Sequence, residues 1–297
     1  MQYRKPSLAI TDQIRLLQSR GLNIPDIQKA EHYLSHISYY RLRAYTYPLQ
    51  NNANPNHPFL PNVEFEHVLD LYRFDRRLRI IVFDAIERIE IAFRTQIIYH
   101  FSQAHGAHFF ENGRLYHNQV NFRNDLKSLD KEIRRSSETF IKHYKRKYTQ
   151  PKRPAAWMSL EVTSMGLLSK IYQNLAISAE KKQVSAHFGL NPFVLESWMH
   201  ALSHARNICA HHSRLWNRTL TQTAKLPKHT GFLWISLPPS MPDRVYTILS
   251  CIQYLLNIIA PRHTFSIRLK ELLAEYPAIS VRDMGFPNNW EQDPFWA

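Results

Sequence analysis

Arg206-Asn207-Ile208-Cys209-Ala210-His211-His212 gathers a guanidinium, a carboxamide and two imidazoles within seven residues. A guanidinium grips phosphate oxygens with a planar fork of donors. An imidazole accepts or donates a proton near neutral pH. Such a set can cut a phosphodiester without a metal. On a helix, Asn207 and His211 share one face, and His211 lies about 140° round from Arg206, so both can reach one ligand. His200, His204, Asn207 and His211 are spaced four, three and four apart, which also offers His200 and His204 as a metal-binding pair. No HExxH and no obvious third ligand accompany them. A buried, hydrogen-bonded cluster without activity is the other alternative that the spacing leaves open.

The element that must carry these residues starts clearly. Asn191 is a good N-cap, Pro192 suits the first helical position, and no Pro or Gly follows through His212. Earlier in the chain, Thr11 is expected to cap a first helix that ends at Gly21, and Asp26 to start a second. Ser38 to Tyr45 mixes tyrosines with arginines, which suits either base stacking or a helix with its tyrosines inward. Residues 51–62, rich in Asn and Pro, form a loop between a helical extension (1–50) and a main helical body (63–297). Residues 62–105 contain no Pro or Gly and keep a helical apolar period, over a length that predicts a kink or break. Within them Glu90 and Arg94 are spaced as an ion pair; either they satisfy each other, or Arg94 lines a phosphate site and Glu90 orients it.

Residues 122–148 read as helical with a break near Ser136-Ser137, Trp157–Leu175 as one buried helix weakened by Gly166, and Ser178 as the cap of a short helix ending at Gly189. Further helices are expected near 243–260 and 264–276, with Phe232, Trp234, Trp290 and Trp296 as anchors. Asn121 to Arg153 holds eleven basic and four acidic residues, a net +7 and half of the chain's +14. Lys142, Lys145, Arg146 and Lys147, interleaved with Tyr144 and Tyr148, are the best candidate for tracking RNA, with a plain solvated face as the alternative.

Composition bounds these readings. With 297 residues and 44% hydrophobic, a sizeable core is available. Only seven glycines argue against a turn-rich β protein, and no glycine-rich phosphate loop is present. The basic excess (pI ≈ 9.8) favours a polyanionic partner, nucleic acid first and an anionic membrane surface second. Two cysteines, Cys209 and Cys251, and no apolar run after Met1-Gln2-Tyr3-Arg4-Lys5 predict a reducing cytoplasm. Val245–Ala260, the most apolar stretch, is too short and too polar for a membrane span and reads as a buried helix.

Arg206 through His211 resembles the R-x4–6-H motif of HEPN nucleases in its Arg-Asn-x-x-x-His form. Several other stretches are similar to the Abi family of bacterial abortive-infection proteins, in its AbiD/AbiF-like group. They are Lys5-Pro6, Ile37–Leu42, Leu71–Arg79, Ala85–Gln96, Phe140–Tyr144, Arg206–Arg218 and Met284–Pro287. The resemblance implies an all-α, HEPN-like helical body in residues 63–297 and a phage-defence toxin that cleaves RNA by attack of a 2′-OH on its neighbouring phosphate. In that reading His211 is general base or acid, Arg206 neutralises developing charge, Asn207 orients His211 or the phosphate, and His212 is a second proton carrier. It also implies no cofactor or metal, a homodimer that pairs two motifs, and an RNA or protein antitoxin. A non-catalytic module that binds RNA or protein, and a His-ligated metal hydrolase, are the alternatives.

Overall fold

The computed structural model describes Gln2 and residues 6–297. Lys5 of the Lys5-Pro6 stretch lies outside the described residues, as do Met1, Tyr3 and Arg4. The described chain is all-α, as expected. Its helices are α1 (Ile10–Ser19), α2 (Ile27–His36), α3 (Tyr39–Thr46), α4 (Phe65–His105), α5 (Gln119–Arg135) and α6 (Thr139–Lys147). They continue with α7 (Ala156–Ser159), α8 (Met165–Asn174), α9 (Ala179–His187), α10 (Pro192–Ala210), α11 (Val245–Ile259) and α12 (Phe265–Glu275). Extended pairing among the described residues is limited to isolated bridges. The chain forms two compact units, residues 1–78 with 272–279, and residues 79–271 with 280–297.

In the first unit, Asp26 and Ser38 cap α2 and α3 by accepting the backbone N–H of Lys29 and Arg41. The first helix starts earlier than expected. The backbone carbonyl of Ala9 takes the N–H groups of Asp12 and Gln13, no side chain caps the helix, and Thr11 sits inside its first turn. The tyrosines of α3 divide: Tyr45 is buried and donates to the Asp75 carboxylate at 2.7 Å, whereas Tyr40 is 87% exposed. The 51–62 loop belongs wholly to this unit.

The second unit is built on α11, in which every residue from Val245 to Leu256 is buried. Against it stand α10 and the aromatic tail; Trp198 stacks with Trp234 and Tyr254, and Trp296 donates its indole N–H to the Tyr246 hydroxyl. Trp290 and Trp296 are buried, as expected of tail anchors, but Phe232 is half exposed. The Asp293 carboxyl secures the tail by accepting the backbone N–H groups of Ser236, Leu237 and Phe295. Those bonds outweigh burial and hold its pKa below the usual value.

Two expectations are corrected. Residues 65–105 make one α-helix, without the break that was expected as the alternative to a kink. The buried stripe Val82, Ile86, Ile89, Phe93, Ile97, Phe101 keeps helical spacing without a gap, so packing supports every turn. Conversely, Trp157–Leu175 is two helices. The Ser159 and Thr163 hydroxyls donate to the carbonyls of Pro154 and Ser159, and Ser164 then caps α8 afresh. Such local side-chain bonds compete with helix propagation. Trp157, in the resulting four-residue α7, is 53% exposed.

Candidate active site

Helix α10 begins as its sequence predicts, with the Asn191 side chain accepting the N–H of Val194 and Pro192 at the first position. One face of the helix is core, from Val194 through Cys209. The opposite face carries exposed His200, half-buried His204 and exposed Asn207. The helix ends at Ala210, sooner than expected. His211 is its cap, still tied to the turn by its N–H to the Asn207 carbonyl. His212 takes a left-handed backbone (φ 56°). Its N–H bonds the Cys209 carbonyl and that of Ser213 bonds Ile208. These two bonds form a Schellman closure, in which glycine is usual and a side chain costs roughly 1–2 kcal/mol. His212 therefore stands beyond the helix, rather than on a face beside His211.

Arg206 and Asn207 meet at this end, which His211 caps. The Arg206 guanidinium lies over the Phe83 ring of α4, 5.5 Å from its centroid, and its Nη1 is 3.5 Å from Asn207 Oδ1. Stacking on an aromatic face fixes an arginine's plane while leaving its edge donors for a ligand. His211 is exposed. Arg206 and His211 do not line the adjoining cavity, but Asn207 does.

That cavity, about 450 Å³, is walled by α5 (Asp125, Ser128, Glu132), α8 (Ser164, Gly166, Leu167, Lys170) and α10 (His200, Ser203, His204, Asn207), with Gln222 at its edge. His204 Nε2 lies 3.3 Å from the Thr221 hydroxyl, and burial, with Arg218 and His200 nearby, lowers its pKa. A lowered pKa keeps the imidazole neutral near pH 7 and able to accept a proton. The Glu132 carboxylate accepts both the N–H (2.8 Å) and the hydroxyl (2.9 Å) of Ser164. Burial raises the pKa of Asp125, with Lys170 opposing.

The remaining candidates lie elsewhere. Arg94 and Glu90 pair at 2.7 Å, both largely buried, and Arg94 also donates to the Thr163 carbonyl. They tie α4 to the turn before α8 and line no part of the cavity. Among the described residues, no group of three or more His, Cys, Asp or Glu side chains is placed to hold a metal ion. No helix among them is long and apolar enough to cross a membrane. Asp125, Glu132 and Lys170 escaped the sequence reading. Their signal was a polar face on α5, with Asp125, Ser128 and Glu132 at helical spacing inside a basic run.

Lys142, Lys145, Arg146 and Lys147 are all exposed on α6, while Ile141 and Tyr144 turn inward. Lys145 donates to the Ile133 carbonyl and Lys147 lies over the Tyr148 ring. Replacing all four by Gln is expected to weaken RNA binding and flatten its salt dependence by up to about three to four ions for double-helical or single-stranded RNA, without loss of fold. Filter binding from low to high salt checks this, and an unchanged slope would make the run a plain solvated face.

No curated protein and no solved structure matches the chain. The family model described as Abi-like protein matches residues 32–217, well over half of the sequence, running from α2 past the end of α10 and through the Arg206–His212 segment. The chain belongs to the Abi-like protein family (Abi_2).

Proposed function

We propose that the chain is a metal-independent, HEPN-type endoribonuclease acting as a toxin in bacterial abortive infection. The observation that carries this reading is the placing of Arg206, Asn207 and His211 at one helix end, with the Arg206 guanidinium over the Phe83 ring. Family membership supports the abortive-infection role. In the proposed reaction, His211 removes the proton from an RNA 2′-OH, or protonates the 5′ oxygen that leaves. The 2′ oxygen bonds to phosphorus as the P–O5′ bond breaks, giving a 2′,3′-cyclic phosphate and a 5′-OH. Arg206 stabilises the charge that builds on the non-bridging oxygens. Asn207 orients His211 or the phosphate, and His212 is a further proton carrier.

One motif supplies one strong cation and few proton carriers, whereas in-line cleavage profits from a base and an acid on opposite sides. A homodimer with the two α10 ends near its axis would supply both, because an isologous interface sets the same patch against itself. Ile80, Phe83 and Ile91 support this arrangement. They are exposed apolar residues of α4, with the exposed Glu87 between Phe83 and Ile91, and Phe83 lies under Arg206. An RNA or protein antitoxin would hold such a toxin silent.

The test is chemical. Cleavage is expected to persist in EDTA, to leave cyclic phosphate ends, and to fail on a substrate with a 2′-deoxy residue at the cut. Activity lost to chelator and restored by zinc would sink this reading in favour of His200 and His204 as ligands. RNA bound but never cut would favour a non-catalytic binding module.

A further inference from the structure

The cavity on the polar side of α10 does not end at the motif. A second cavity, about 430 Å³, adjoins it and shares Asp125 and Lys170 as walls. Both fall within the roughly 300–1,000 Å³ of small-molecule sites. The second is lined by His117, the amides of Asn121, Asn124, Gln173 and Asn174, and the two shared residues. Together they make a polar groove along α8, with Asn207 among the walls of the first cavity.

Two details indicate that the groove is shaped for an occupant. The first is the contrast between its carboxylates. Glu132 accepts from both groups of Ser164, whereas among the described residues the half-buried Asp125 carboxylate makes no hydrogen bond or close ion pair, with only the Lys170 charge acting on it. The Asp125 oxygens are not sealed from solvent, so they stay open to accept N–H groups from a ligand in the groove. The second is Gly166, on the cavity floor. A Cβ built there meets nothing closer than Ser203 Oγ at 3.5 Å, an ordinary contact. Packing does not require glycine, and helix propensity favours alanine by about 1 kcal/mol. What glycine preserves at this position is the space above it.

The chemistry of the lining selects the occupant. A carboxylate is acceptor-only, and it repels phosphate. Its match is a base edge with two adjacent N–H donors. Guanine has that edge in N1–H and N2–H. Adenine and cytosine offer one amino group beside an acceptor, and uracil one imino group between carbonyls. Lys170, exposed on the neighbouring wall, can donate to the guanine O6.

We propose that this groove is a guanine-binding subsite, in which Asp125 accepts N1–H and N2–H and so places a neighbouring phosphate at the end of α10. The proposal rests on the RNA-cleaving reading only for what the bound base is used for. The test therefore measures binding apart from cutting. Fluorescently labelled UGUGU, UIUIU (inosine, lacking the N2 amino group) and UAUAU are titrated against full-length His211→Ala protein. UGUGU should bind at least about tenfold tighter than the other two, a difference of about 1.4 kcal/mol. Asp125→Asn, nearly isosteric and breaking no internal bond, should erase that preference, and Gly166→Leu should weaken binding of UGUGU by filling the floor. Melting curves confirm that both variants fold. Equal binding of UGUGU and UIUIU, or a preference that survives Asp125→Asn, would overturn the subsite. Wild-type cleavage with no guanine near the cut would overturn it too and leave the nuclease reading intact. Guanine-selective binding without any cleavage by wild type would uphold the subsite and sink the nuclease.

Discussion

Mixing wild-type chains with a tenfold excess of Arg206→Ala chains, under conditions that allow exchange, is expected to lower RNA cleavage to roughly a tenth of that of the same wild-type chains alone, if both motifs of a two-fold pair must be intact. Random pairing leaves few wild-type chains with a wild-type partner. Arg206→Ala or His211→Ala alone should fall by about 10²- to 10⁴-fold, the range for removing a charge stabiliser or a general acid–base. Neither change should unfold the protein. His211 is exposed beyond the last helical turn, and Arg206 gives up little more than its stacking on Phe83. Matched melting curves would separate lost chemistry from lost structure. Light scattering of the mixed sample checks that the chains are dimeric. A monomer that cuts at full rate would refute the shared site, and His212 would then be the first residue to mutate.

Arg94→Ala should produce the largest loss of stability, about 3–5 kcal/mol, as expected when one partner of a buried pair is removed. The side chains of Arg94 and Glu90 are only 8% and 15% exposed. Removing the guanidinium strands the Glu90 carboxylate and deprives the Thr163 carbonyl of its donor. Urea unfolding of wild type and variant measures the difference. The same variant tests the phosphate-site alternative, since cleavage per folded molecule should be unchanged when the pair is purely structural. A stable variant with impaired cleavage would return Arg94 to the active site.

Much of the fold was legible because it is written locally. Asp26, Ser38, Ser178 and Asn191 cap their helices with their own side chains, so each start can be read within four residues. Where the backbone makes the start, as at Ala9, no residue type announces it. The division of Trp157–Leu175 depended on hydroxyls bonding carbonyls four and five residues back, which apolar periodicity does not report. A break in α4 was argued from length alone, though the buried stripe that keeps it continuous was visible in the sequence. Arg206, Asn207 and His211 were readable because one helix end carries all three. Asp125, Glu132 and Lys170 join Asn207 only because α5, α8 and α10 pack together. Their sequence separation concealed a groove that side-chain type alone does not reveal.

The bonds between Glu132 and Ser164 bear on how the groove meets its surroundings. The amino end of a helix is a ready seat for small anions, with several N–H groups and a favourable dipole. At α8 part of that seat is taken from within by a carboxylate of α5, which holds both the N–H and the hydroxyl of the capping Ser164. Inorganic phosphate or sulfate would have to evict a tethered ligand whose effective concentration no free ion can match. Glu132 in this way competes with small free anions for this helix end.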